Sequence, residues 1–200
     1  LGGKLKLIVC GGAPLRPDLV KGFDDLGITV YNGYGITECA PLLSSNCSIK
    51  NVPGSVGFSI HDNQLRIADP DKDGIGEIQP KGDNVMLGYY KDEEATKATF
   101  TEDGWFKTGD LGYIDKNGAI FITGREKNLI ILANGKNVHP EELEEHIMHN
   151  LEYVKEVMVY APISGDDDHP VLITAEAYLD PDYLVEVGID EAKDRFMKEV

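Results

Sequence analysis

Basic residues are scarce in this chain. Nineteen lysines and arginines face 35 acids, leaving a formal charge of −16 over 200 residues. A surface that coats nucleic acid must neutralise phosphates with Lys and Arg, so that function class is excluded. A single small anion stays open, because one Arg or one helix N-terminus suffices locally. Cysteine is equally sparse. Cys10, Cys39 and Cys47 are odd in number and have no C-x-x-C spacing, which excludes a disulfide framework or a zinc site and leaves reduced thiols. No apolar run reaches 18 residues, so no membrane-spanning helix is predicted. A Walker A loop is absent, and Gly33-Tyr34-Gly35-Ile36-Thr37-Glu38 does not satisfy G-x-G-x-x-G. The first residue is Leu1 and the chain opens inside a strand-like run, as expected of a piece of a longer protein.

The patterning predicts three regions. Over residues 1–52, "LKLIVCGGAPL" reads as a buried strand of a parallel sheet, ending in a Gly-Gly loop. "RPDLVKGFDDL" has helical spacing, and "GITVYNGYG" is a second strand with a second glycine loop. In open α/β sheets, ligands bind at the carboxyl ends of such strands. Over residues 53–124, "GSVGFSI", "NQLRIAD", "GEIQPKG" and "NVMLGYY" are short strand candidates for a small antiparallel sheet or barrel. A short helix over "DEEATKATF" is capped by Asp92, and Lys116-Asn117-Gly118 turns a hairpin. Over residues 125–200 the pattern is α+β. "NLIILANGKNV" forms a hairpin tipped by Asn134-Gly135. "PEELEEHIMHNL" is a helix with Pro140 first. Two strands and a last helix near Asp190 follow. The fold class is thus α/β joined to α+β.

Several signals are decoys. Asp69, Asp71, Asp73 and Gly74 imitate a calcium loop, but the twelfth position is Pro80 and the flanks read as strands, so a turn is expected. "DDDH", Asp166 to His169, reads as a solvated acidic loop. His146 and His149 lie three apart on a helix without H-E-x-x-H and read as surface residues.

The informative feature is an order of motifs: "GGAPL", "YNGYGITE", "GYY", "GWFKTGDLG", "GREKNLII" and "NGKNVHPEELE". Each alone is a turn or a loop. Together, from about Leu7 to Tyr160, they closely resemble the adenylate-forming enzymes: acyl-CoA synthetases, adenylation domains of peptide synthetases, and luciferases. The branch nearest in "GREKNLIILANGKNVHPEELE" is that of the long-chain fatty acid–CoA ligases. The resemblance implies two half-reactions. A carboxylate attacks the α-phosphate of ATP, giving an acyl-adenylate and pyrophosphate; the thiol of coenzyme A then displaces AMP.

It also implies roles. Glu38 is a hard oxygen ligand suited to Mg²⁺ on phosphates, and Thr37 offers a hydroxyl to the α-phosphate. Tyr34, with Gly35, would pack at adenine, and Gly11, Gly12 and Ala13 leave room for adenine and the acyl chain. Asp110 would accept from the ribose hydroxyls. Arg125 would reach ribose or phosphate, and Ile122 would pack against the nucleotide. Lys127 falls at the family's hinge, and Gly135 resembles the glycine that leaves room for the pantetheine arm. One more residue lies between Arg125 and Gly135 than in many relatives.

Two expected motifs are missing from the sequence: the upstream Ser/Thr/Gly-rich phosphate loop and the C-terminal lysine that contacts the acyl-adenylate. His139 stands where Ser or Asp would cap better. The expectation is an incomplete acyl-CoA synthetase, nearly inactive alone, from a cytoplasmic parent that is at most peripheral to a membrane. Its substrates would be a fatty acid, ATP and CoA. Two alternatives stay open: an adenylation domain loading a carrier-protein thiol, and a non-catalytic nucleotide-binding module. The oligomeric state has no sequence signature.

Overall fold

The computed structural model describes residues 2–13, 15–60, 63–132, 134–162 and 171–200. The chain divides into two compact units, Leu1–Thr123 and Gly124–Val200.

The first unit opens with β1 (Leu7–Gly11), α1 (Pro17–Asp25) and β2 (Thr29–Gly35), with β1 parallel to β2. Pro17 starts α1, where its missing N–H costs nothing. The strand–helix–strand reading and the parallel pairing hold. The predicted burial of β1 does not. Leu7 is 46% and Val9 69% exposed. An apolar run reports what a strand could bury, and no described element covers this face.

An unpredicted strand, β3 (Leu42–Ser45), pairs antiparallel with β2, and β4 (Phe58–Ser59) pairs with β3. "GSVGFSI" therefore completes the first sheet instead of starting the second. The second sheet runs β5 (Asn63–Ala68), β6 (Gly76–Gly82), β7 (Asp110–Ile114) and β8 (Ile120–Arg125), in that order. The Asp71 turn joins β5 to β6, as expected. Pro80 sits in β6 beyond the two-residue pairing with β7, so no ladder bond to β7 is lost there.

"NVMLGYY" is not a strand. Asn84 Nδ2 donates to the carbonyls of Cys39 and Leu42, both at 3.0 Å, and ties the segment to the loop after β2. Gly88 at φ +152° and Lys91 at φ +56° then turn the chain into α2 (Glu93–Thr99). Asp92 caps α2, accepting from Ala95 N at 2.9 Å. The core of this unit gathers Tyr34, Cys39, Leu43, Val56, Ile78, Phe106 and Ile120.

The second unit holds β9 (Ile130–Ile131) antiparallel to β10 (Asn137–Val138), then α3 (Pro140–Asn150). The antiparallel pair β11 (Val154–Tyr160) and β12 (Thr174–Leu179) follows, with α4 (Pro181–Val187) and α5 (Ile189–Glu199). α4 is not anticipated by the sequence reading, although Asp180 caps it and Pro181 begins it. His139 precedes α3 and makes no side-chain cap bond. Ile147, Leu151, Tyr153, Val154 and Val159 form this unit's core. The "DDDH" segment lies outside the described residues. Among the described residues no helix is long and apolar enough to cross a membrane.

Candidate active site

β1 and β2 end side by side, with Gly11 opposite Gly33. A Cβ on Gly11 would lie 3.1 Å from the Gly33 carbonyl oxygen, so the two glycine loops approach as backbone against backbone. Gly12 (φ +86°) and Ala13 continue as an exposed loop. After β2 the chain folds into a short 3-10 turn, Thr37–Cys39. A Cβ on Gly35 would come within 2.0 Å of the Pro41 carbonyl oxygen, so this return needs glycine. Thr37 is exposed on the turn and Glu38 is half-buried.

The Glu38 carboxylate accepts from the Tyr89 hydroxyl at 3.0 Å, and its backbone carbonyl accepts from Met86 N at 2.7 Å. Burial, and then the bond to Glu38, push the Tyr89 hydroxyl above its ordinary pKa. Tyr89 was read only as part of "GYY"; its tie to Glu38 spans 51 residues, which no local pattern reveals.

Asp110 begins β7 and is 4% exposed. Its carboxylate accepts from the Tyr34 hydroxyl at 2.5 Å. Burial first, and then the Asp110 charge, hold the Tyr34 phenol protonated well above the usual tyrosine range. The preceding turn is pinned from several sides. Asp110 N donates to Thr108 Oγ1 at 3.0 Å, and that hydroxyl donates to the Ile78 carbonyl at 2.6 Å. Gly109 N donates to Glu77 Oε1 at 2.9 Å. Ile122, half-buried, packs against the core that contains Tyr34.

The structure therefore brings Tyr34 and Asp110 into contact and sets Ile122 against the same core. Gly11 lies beside the strand that carries Tyr34 and Gly35. Arg125, Lys127 and Gly135 belong to the second unit. Arg125 ends β8 and is exposed, Lys127 sits in the exposed 3-10 turn Glu126–Asn128, and Gly135 tips the β9–β10 hairpin at φ +76°. In that unit a Cβ on Gly124 would lie 2.5 Å from Glu141 Oε2, while Glu141 Oε1 accepts from Asn128 at 2.9 Å. A groove of about 620 Å³ there is lined by Lys127, Ile131, Glu141 and Met158, and does not include Tyr34, Glu38 or Asp110.

Among the described residues no group of three or more His, Cys, Asp or Glu could by itself hold a metal. Mg²⁺ in nucleotide sites binds through one or two carboxylates and completes its shell with water and substrate phosphates. Glu38 offers a single carboxylate on the turn after β2.

Residues 1–90 match the family model of the AMP-binding enzyme, and the fold and sequence are similar to those of acyl-CoA ligases. The long-chain-fatty-acid–CoA ligase FadD15 of Mycobacterium bovis is 43% identical over 147 residues, 74% of this chain and 24% of that protein. The chloroplastic long-chain-fatty-acid–[acyl-carrier-protein] ligase AEE15 of Arabidopsis thaliana is 36% identical over 162 residues, 73% of this chain and 22% of that protein. The O-succinylbenzoate coenzyme A synthetase MenE of Bacillus subtilis, solved with ATP and a magnesium ion, aligns with a TM-score of 0.73 at 31% identity, covering 86% of this chain and 36% of that one. The chain spans about a quarter of the length of the curated relatives it matches.

Proposed function

We propose that this chain is part of an ATP-dependent acyl-CoA synthetase that activates a fatty acid through an acyl-adenylate. The observation that carries the reading is the buried Asp110 carboxylate, fixed by Tyr34 and by a pinned turn. Asp110 accepts from the ribose hydroxyls of ATP, and the Tyr34 ring packs beside the adenine. Ile122 adds an apolar contact to the nucleotide. Gly11, Gly12 and Ala13 present backbone without bulk to adenine and the acyl chain.

Mg²⁺, when bound, offsets the negative charge that gathers at the α-phosphate during attack. Glu38 holds that ion, and Tyr89 orients the Glu38 carboxylate from its other side. Thr37, exposed on the same turn, donates to the phosphate. Arg125 contributes a cation toward ribose or phosphate. Lys127 lies at the hinge between the large and small domains, with boundaries at 1–52, 53–124 and 125–200. Gly135 leaves the hairpin tip bare for the pantetheine arm of CoA. A cytoplasmic enzyme peripheral to a membrane suits a fatty acid substrate.

The test is pyrophosphate exchange by the complete protein across a panel of carboxylic acids. Exchange that peaks with long-chain acids, followed by CoA thioester formation, is expected; no exchange with any acid would favour a non-catalytic nucleotide-binding module. A second reading, transfer to a carrier-protein thiol, is favoured by the likeness to the acyl-carrier-protein ligase. Loading of holo-carrier protein in preference to free CoA would select it. The 200 residues alone, without the phosphate loop and the C-terminal lysine, are expected to be nearly inactive, and robust acyl-CoA formation by them would overturn that expectation.

A further inference from the structure

One support of the turn that aims Asp110 is a side chain that is itself held in place. Asp110 N donates to the Thr108 hydroxyl, which donates to the Ile78 carbonyl. Gly109, at φ +68°, takes a conformation that glycine tolerates and side chains resist. Its N–H is held by a side chain from the neighbouring strand: Glu77 Oε1 accepts it at 2.9 Å. Glu77 stands opposite Leu111 in the β6–β7 pairing, one residue from Asp110.

The other Glu77 oxygen is also engaged, accepting from Gln79 Nε2 at 2.6 Å. Gln79 is 4% exposed, and its amide is fixed from both ends. Its oxygen accepts from Arg66 Nε at 2.9 Å and its nitrogen faces the Glu77 carboxylate. Flipping the amide would set donor against donor at one end and acceptor against acceptor at the other. Arg66 in turn bonds Asp103 at 2.8 Å and stacks on Trp105, 4.5 Å from the ring centre. Three side chains on the β5–β6 pair, Arg66, Gln79 and Glu77, thus run from Asp103 at the surface to the Asp110 turn with a single consistent donor–acceptor order.

We propose that Glu77 is a positioning residue for nucleotide recognition: through the Gly109 N–H it holds the turn that presents the Asp110 carboxylate to the ribose, with Gln79 and Arg66 fixing Glu77. This rests on the reading of Asp110 as the ribose acceptor. Replacing Glu77 by Gln substitutes a donor for one of two acceptor oxygens, so either Gly109 or Gln79 loses its partner. The paired swap Glu77→Gln with Gln79→Glu restores the order, because the new amide oxygen accepts from Gly109 while its nitrogen donates to the new carboxylate, which still accepts from Arg66.

The experiment is equilibrium binding of ATP and of 2′-deoxy-ATP to the complete ligase by titration calorimetry, with Tm measured alongside. The expected result is that Glu77→Gln weakens ATP about tenfold and 2′-deoxy-ATP much less, so that the preference for ATP collapses, and that the double swap returns it. A lowered Tm with the preference unchanged would mean that Glu77 serves stability alone and would overturn the proposal. Asp110→Ala is the internal control. If it leaves the preference intact, the ribose reading fails first and this inference falls with it. If it removes the preference and Glu77→Gln does not, only the positioning role is lost. Should Glu77→Gln fail to fold, Arg66→Ala at the partly exposed end of the same series carries the test. A preference reduced about threefold is expected, and an unchanged one overturns the role.

Discussion

The hydroxyl of Tyr34 and the carboxylate of Asp110, 76 residues apart in sequence, meet at 2.5 Å in the interior of the first unit. A tyrosine read as an adenine-packing residue and an aspartate read as a ribose acceptor are therefore one hydrogen-bonded pair. Removing the hydroxyl alone, by Tyr34→Phe, keeps the ring and takes one donor from a buried acid. The expected cost is about 1–3 kcal/mol, seen as a lower midpoint in denaturant with an unchanged slope. Full stability in the variant would show that the pair contributes nothing net.

The same pair predicts a pH dependence. The folded state holds the Tyr34 phenol protonated above the usual range, by burial and then by the Asp110 charge. An unfolded tyrosine ionises near 10. Below that pH both states are protonated and the contribution is fully present. Above it the unfolded chain releases a proton that the folded chain keeps, so stability falls as pH rises. Alkaline titration followed at the phenolate absorbance should show one tyrosine that ionises only on unfolding. Reversible ionisation of all nine tyrosines near pH 10 would contradict it.

Asp110→Ala in the complete enzyme should raise the KM for ATP by about tenfold to a hundredfold, the range for lost hydrogen bonds to a charged acceptor. The KM for the acid should move little. An unchanged KM for ATP would remove the ribose assignment.

Gly35→Ala tests the close return after β2. A Cβ there would overlap the Pro41 carbonyl at 2.0 Å, and its obstacle is backbone, which cannot swing aside. The variant should lose about 3 kcal/mol or more, and a thermal melt within a degree of the parent would refute the argument.

Gly124 offers a contrasting case in the second unit. Its obstacle is the far end of the Glu141 side chain, 2.5 Å from an added Cβ. Gly124→Ala should cost about 1 kcal/mol, and most of that should vanish when Glu141 is also Ala. Equal costs in both backgrounds would place the strain elsewhere.

The sequence made the fold class and the motif order legible, because α1, α2, α3 and the Asn-Gly turns depend on caps, prolines and glycines within a few residues. Less legible was anything set at long range. β1 has a core-like composition and an exposed face; β3 is four residues without alternation; 84–90 has strand-like residues pulled into a turn by Asn84. α4 carried its signal in Asp180 and Pro181, but it is short enough to pass as a loop. Tyr34, Glu38 and Asp110 stand out in the sequence through their motifs. Tyr89, Glu77 and Gln79 do not, since they have partners on other strands and turns.

β8 finds its hydrogen-bonding neighbour in β7, and β9 finds its own in β10, so the two apolar runs on either side of Arg125–Asn128 are not two arms of one hairpin. In recombination terms that exposed stretch is a natural seam. A crossover placed there joins two relatives without separating any of these strands from its partner, and Gly124 and Asn128 would have to be matched to Glu141.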